Sequence, residues 1–164
     1  MTAEYFVKHL QLQPHPEGGF FKETYRSNGI ISSEYLSPGF GGERNYSTAI
    51  YFLLQKEDYS AFHRIASDEC WHFYEGGTLL IHVIDQGGEY SCIRLGRKLD
   101  EGETFQFVVP ANCWFASEPA AGTEFTLVGC TVAPGFDFAD FEMADEKLMD
   151  EYPKLRSVIQ RLCR

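Results

Sequence analysis

From Tyr46 onward eight short runs rich in β-branched, aromatic and aliphatic residues follow one another, and this succession restricts the chain to an antiparallel all-β fold. The runs are YSTAIYFLL, FHRIA, ECWHFYE, TLLIHVI, YSCIRLG, TFQFVV, CWFAS and EFTLVGCTV. Turn residues separate them at Gln55 to Asp58, Gly76-Gly77, Gln86-Gly87-Gly88, Asp100-Glu101-Gly102 and Pro119 to Gly122, with the spacing of sandwiches and barrels. No helical pattern alternates with the runs, as a parallel α/β sheet would require.

Helical spacing appears only at the two ends. Tyr5, Phe6, His9, Leu10 and Leu12 predict a short helix over 2–12, with Thr2 as its cap and Pro14 stopping it. PHPEGG reads as a turn, Phe20 to Arg26 as an extended segment, and Ser27 to Glu43 as a long loop. The barrel is expected over about 18–136. Leu148, Leu155, Val158, Ile159 and Leu162 predict two capping helices within about 144–163, broken at Tyr152-Pro153. With no internal repeat and no low-complexity linker, residues 1–164 read as one domain.

Charge narrows the partners. Acidic residues outnumber basic ones by 24 to 14, a formal charge of −10, so the field repels nucleic acid and anionic membrane surfaces. An anionic small substrate stays open, because one or two Arg side chains inside a pocket override an average field. The five cysteines are odd in number, dispersed and without a CxxC pair, which reads as small buried hydrophobes in a reducing cytoplasm. The start lacks a basic, apolar leader and no run reaches membrane-spanning length, so the expectation is a soluble cytoplasmic protein.

The stretch HRIASDECWHFYEGG ends one strand on His63, passes an acidic turn and opens the next strand near Glu69. His63 stands six residues before Glu69, and Gly76 seven after it. That spacing resembles the first motif of the cupin superfamily, where an HxH pair precedes a Glu and a Gly follows. GETFQFVVPANCWFA resembles the second motif through Gly102 and Pro110, with Asn112 where that motif has Gly. Two departures stand out: Ile65 occupies the place of the family's second metal-binding His, and Phe115 that of the His of the second motif. With PHPEGGFFKETYRS and YSTAIYFLL, these phrases resemble an uncharacterised small cupin subgroup, once known only as a domain of unknown function, over Leu12 to Phe136. The resemblance implies a double-stranded β-helix, or jelly roll, and a homodimer. It implies no particular reaction, since the wider superfamily includes sugar epimerases and isomerases, dioxygenases, storage proteins and sugar-binding regulators.

In a regular strand Glu69, Trp71 and Phe73 share one face while Cys70, His72 and Tyr74 share the other, and the resemblance turns Glu69 inward. A cavity holding His63, Glu69 and Gln106 beside Trp71, Phe73 and Phe107 has the usual build of a small-molecule site. His63 beside a carboxylate suits a general base at neutral pH, with Tyr51 or Tyr46 returning the proton. The expectation is therefore a metal-independent epimerase or isomerase of a small polar, sugar-like molecule. Arg44, directly before a strand, is a candidate anchor for an anionic group, whereas Arg64 reads as a solvated surface charge. His15 and Glu17 read first as parts of a turn.

Iron, manganese or zinc in such barrels takes three or four protein ligands. Only His63 and Glu69 stand ready, and His72 joins them only if a bulge turns it to their face, so a pocket without a cofactor is expected. Two alternatives stay open: a divalent-metal dioxygenase or isomerase using His63, Glu69 and His72, and a non-catalytic cupin that binds or senses a small molecule.

Overall fold

The computed structural model describes residues 1–164. Helix α1 (Ala3–Leu10) starts where the Tyr5 N–H donates to the Thr2 hydroxyl at 3.3 Å, the cap that the sequence predicts. Its apolar stripe docks on Leu12, Leu53 and Leu127, outside the barrel. The early strands are β1 (Gln13–Pro14), β2 (Phe20–Arg26), β3 (Ile30–Ile31) and β4 (Arg44–Asn45). Each of the eight apolar runs then forms a strand: β5 (Thr48–Gln55), β6 (Ser60–Arg64), β7 (Asp68–Gly76) and β8 (Leu79–Ile84) come first. After them run β9 (Tyr90–Leu95), β10 (Gln106–Val109), β11 (Trp114–Pro119) and β12 (Phe125–Ala133). A two-residue strand β13 (Glu142–Met143) precedes helices α2 (Lys147–Glu151) and α3 (Arg156–Arg161), which are split at Tyr152-Pro153. The segment expected as loop, 27–43, contains β3 and a 3₁₀ turn at Ser33–Tyr35.

The strands form a six-stranded sheet, β1-β2-β5-β12-β7-β10, and a five-stranded sheet, β13-β6-β11-β8-β9, antiparallel throughout. Side chains alternate across each strand, so one set meets between the sheets. Phe52, Leu54, Trp71, Val128 and Cys130 from the larger sheet pack there with Ile81, Val83 and Phe115 from the smaller. The opposite parity faces outward. Phe62, Ile84, Trp114 and Ala116 pack under the terminal helices through Leu148, Ile159 and Leu162.

One turn positions the functional end of the barrel. Gly18 and Gly19 have φ of 111° and 74°, a region that glycine enters without a Cβ penalty. They let PHPEGG fold back so that the Glu17 carbonyl accepts from the Ala61 N–H at 3.3 Å. A Cβ on Gly19 would lie 2.6 Å from the Leu53 carbonyl oxygen and from Leu54 Cδ2. Gly19→Ala is therefore expected to cost about 1–3 kcal/mol in urea unfolding, strain and clash together. A loss near zero would show that the turn relaxes freely.

Candidate functional site

His63 lies on β6, opposite Phe115 of β11. It is packed between the Phe115 ring at 4.1 Å and the Phe141 ring at 5.2 Å, the latter stacked within 28°. Its Nδ1–H donates to the Ala61 carbonyl at 2.7 Å. Glu17 Oε2 stands 3.0 Å from the same nitrogen, but one N–H serves one acceptor, so this contact is charge against ring rather than a second hydrogen bond. With Nδ1 committed, the other ring nitrogen, Nε2, is the one left to take or give a proton in the cavity that His63 lines.

Electrostatics follow from this geometry. Burial would depress the His63 imidazolium, but the Glu17 charge and the Ala61 carbonyl outweigh it and raise the pKa above 6.5. Burial likewise pushes Glu17 up, yet His63, His15 and the Ser60 hydroxyl bring it below the ordinary 4.5. Glu69, on the inward face of β7 between Val109 and Val132, is 8% exposed. Its pKa is pushed up to about 7, chiefly by burial, with His63 and the Cys130 thiol pulling the other way and Glu17 adding repulsion. The site thus places Glu69 and His63, both raised, beside Glu17, which is lowered and whose charge acts on each of them.

The raised Glu69 has a measurable consequence. The folded chain holds the Glu69 proton more tightly than the unfolded chain, whose ordinary value is 4.5. The sign follows: stability from this group is full below pH 4.5 and is lost as pH rises through about 7. The loss is on the order of 3 kcal/mol at most. His63, also raised, contributes in the same sense above pH 6.5, and Glu17, lowered, in the opposite sense below pH 4.5. Glu69→Gln is therefore expected to flatten the fall of unfolding free energy between pH 4.5 and 7.5 in urea titrations. An unchanged slope would contradict a buried proton on Glu69.

A cavity of about 270 Å³ opens at this end of the barrel. His15, Glu17, His63, Glu69 and Cys130 line its interior with Phe21 and Ile50. The strap after β12 adds Phe136, Phe138 and Phe141, and the exposed Glu23, Arg26 and Asp137 stand at the mouth. The strap is tied down where the Phe136 N–H donates to the Thr48 hydroxyl at 2.9 Å. A buried, bidentate Arg44–Asp140 pair, at 2.7 and 2.5 Å, ties it a second time.

Of the residues that the sequence singles out, His63 and Glu69 come together in this cavity, and several others do not. Trp71, Phe73 and Phe107 pack in or against the core between the sheets and leave the cavity lining to other side chains. Gln106 is exposed and bonds His72 Nδ1 at 2.9 Å on the outer face. Tyr51 has the wrong parity on β5: Ile50 and Phe52 point inward, while Tyr51 packs outward with Leu53 under α1 and against Tyr74. Tyr46 is 58% exposed and covers Gly29. Arg44 is buried in its pair with Asp140, and so cannot receive an anion. Arg64 pairs with Glu142 over the Trp114 ring, as a surface charge. Glu17, His15, Cys130 and the phenylalanine strap are the residues that sequence reasoning left in lesser roles.

The resident metal of many related barrels does not fit these residues. His72 sits on the opposite face of β7 from Glu69, and its Nε2 meets the Thr131 hydroxyl at 3.1 Å. β7 does contain an irregularity, but it falls at Tyr74, where Val128 pairs with Phe73 and Leu127 with Glu75, beyond His72. Ile65 and Phe115 are buried in the apolar core at the two positions where the family places further imidazoles. No group of three or more His, Cys, Asp or Glu side chains is arranged to hold an ion.

A family model described as "Cupin superfamily (DUF985)" matches residues 4–144. The chain belongs to this cupin family. An uncharacterized protein of Saccharomyces cerevisiae is 32% identical to the cupin over 157 residues, covering 85% of this chain and 73% of the yeast protein. A hypothetical protein from Leishmania major has 37% identity and a TM-score of 0.89, with 99% of each chain covered. A Shewanella oneidensis protein has 41% identity and a TM-score of 0.88, covering 100% of the cupin and 98% of its own chain. Oxalate decarboxylase from Bacillus subtilis shares the fold at 11% identity and a TM-score of 0.56, over 91% of this chain and 36% of its own. That last likeness concerns the fold alone.

Proposed function

We propose that this cupin binds a small polar molecule in the barrel cavity and moves a proton on it, as a metal-independent epimerase or isomerase. One observation carries the reading: an imidazole pinned at Nδ1 beside Glu17 shares a mostly apolar cavity with Glu69, whose proton is exchangeable near pH 7. Such poised groups are what proton transfer at neutral pH requires. His63 Nε2 removes a proton from the carbon beside a carbonyl, and the electron pair of the broken C–H bond passes to the carbonyl oxygen. Protonated Glu69 then donates to carbon, the enolate collapses, and solvent returns the His63 proton to Glu69. Glu17 is a positioning residue, stabilising the imidazolium while the Ala61 carbonyl fixes the ring. The cavity volume, about 270 Å³, suits a metabolite just below the range of about 300–1,000 Å³ that holds larger ligands. Five free cysteines support a reducing, cytoplasmic setting, and a homodimer is proposed from the family.

The test is a ligand-observed NMR screen of sugars and small oxo-compounds in D₂O, followed by mass spectrometry of the binders. One solvent deuterium beside the carbonyl of a recovered binder is the expected result. Binders recovered with neither deuterium nor product would overturn the enzyme reading and leave a binding cupin.

A further inference from the structure

We propose that the ligand of this cavity bears an amino group and no phosphate or carboxylate, with its nitrogen held against Glu17 and Glu69. The proposal rests on reading the barrel cavity as the ligand site, but not on the proton-transfer step.

Fixed charge is the first support. Four carboxylates, Glu17, Glu23, Glu69 and Asp137, line the cavity, and Arg26 is its one guanidinium. That guanidinium is already committed. Its Nε and Nη2 donate to Glu23 at 3.0 and 2.7 Å, and its Nη1 donates to Asn45 Oδ1 at 2.9 Å and the Phe136 carbonyl at 3.1 Å. Arg44 is bound two-fold to Asp140 away from the lining. An incoming phosphate would therefore meet like charge and no open guanidinium fork, with the His63 imidazole, already biased by Glu17, the one cationic group near it.

Hydrogen-bond accounting is the second support, and it points to a donor. Glu17 Oε2 is buried in a residue only 8% exposed and has no aligned donor, with the imidazole 3.0 Å away and the Ser60 hydroxyl, itself buried and unpartnered, the one neutral donor beside it. The Cys130 thiol, a weak donor, is the partner that Glu69 has. A buried carboxylate accepts several hydrogen bonds, and leaving that capacity empty is unfavourable. An ammonium brings three donors and a positive charge to two carboxylates that share one imidazole, where a hydroxyl brings one donor and no charge.

Aromatic faces are the third. Phe136, Phe138 and Phe141 meet at interplanar angles of 82°, 72° and 68°, and with Phe21 they supply apolar, electron-rich walls. Carbon next to an ammonium is well received by such faces.

Two shape-matched series test this by calorimetry at pH 7.5 on the intact chain: glucosamine, glucose and glucuronate, then benzylamine, benzyl alcohol and benzoate. In at least one series the amine is expected to bind about tenfold or more tighter than its neutral partner, and the carboxylate not at all. Glu17→Gln and Glu69→Gln should each erase the preference of the amine over its neutral partner. The wild-type ranking decides the matter even if a variant folds poorly. A neutral or anionic member binding as tightly as its amine in both series, a preference untouched by both variants, or no binding by either amine would each overturn the proposal. A neutral sugar that gained deuterium would overturn it and leave the proton-transfer reading intact, whereas an amine bound without exchange would do the reverse.

Discussion

Deuterium exchange into the bound substrate is expected to fall by about 10²–10⁴-fold in His63→Ala, the span that one well-placed general base supplies. In free energy that is about 3–5 kcal/mol of lost barrier reduction. The prediction follows from the single nitrogen that the site leaves open. Nδ1 is held by the Ala61 carbonyl, so no other imidazole in the cavity stands where His63 does; His15 Nδ1 accepts from the Glu17 N–H at 3.2 Å and belongs to the turn. Removing the ring also strips Glu17 of its main counter-charge, and the Glu17 pKa should rise in the variant. His63→Ala combined with Glu17→Gln should therefore be more stable than His63→Ala alone. The assignment fails if the variant folds, binds the same ligand and exchanges at the wild-type rate.

Asp140→Ala is expected to lose about 3–5 kcal/mol of unfolding free energy, because it leaves the Arg44 guanidinium buried without its partner. Both side chains are 5% exposed, and the pair makes two hydrogen bonds. Water screening is weak at such a site, unlike at the exposed Lys147–Asp145 pair, whose removal should be close to neutral. Asp140 also closes the 3₁₀ turn Phe138–Asp140, so its loss should loosen Phe138 and Phe141 over the cavity. Urea unfolding measures the first effect and ligand affinity the second. Arg44→Met with Asp140→Leu should recover most of the stability, since apolar groups of similar size fill the space without a charge to desolvate. A loss below about 1 kcal/mol in Asp140→Ala would show that water reaches Arg44.

The barrel was legible because strands announce themselves locally. Each run from β5 to β12 alternates or is apolar throughout, and turn residues bracket it, so neighbouring residues carry the information. His63 and Glu69 were legible through the cupin resemblance, because their six-residue spacing around a single turn matches the first motif of that family. Parity on β7 put Glu69 and His72 on opposite faces, and the cupin resemblance turned Glu69 to the inner one, where it lies. On β5 the same rule was silent, because AIYFLL is apolar on both faces, one packing the core and the other packing helix α1. Tyr51 was misplaced there. Glu17 was undervalued because its meaning lies with His63, 46 residues on, while its immediate neighbours spell a turn. Arg44 found its partner at Asp140, 96 residues later, and from the sequence each looked like an isolated charge. Cys130 sits in a strand where a small apolar residue is equally at home, so only its contact with Glu69 sets it apart.

The fold-back at Gly18 and Gly19 separates the origins of the two halves of the proton pair's setting. The barrel strands own the imidazole and Glu69, while a hairpin-sized loop outside them owns the carboxylate that biases the ring. Exchange of that loop between relatives would therefore retune acidity without repacking a single strand, giving the scaffold an independently variable dial for reactivity.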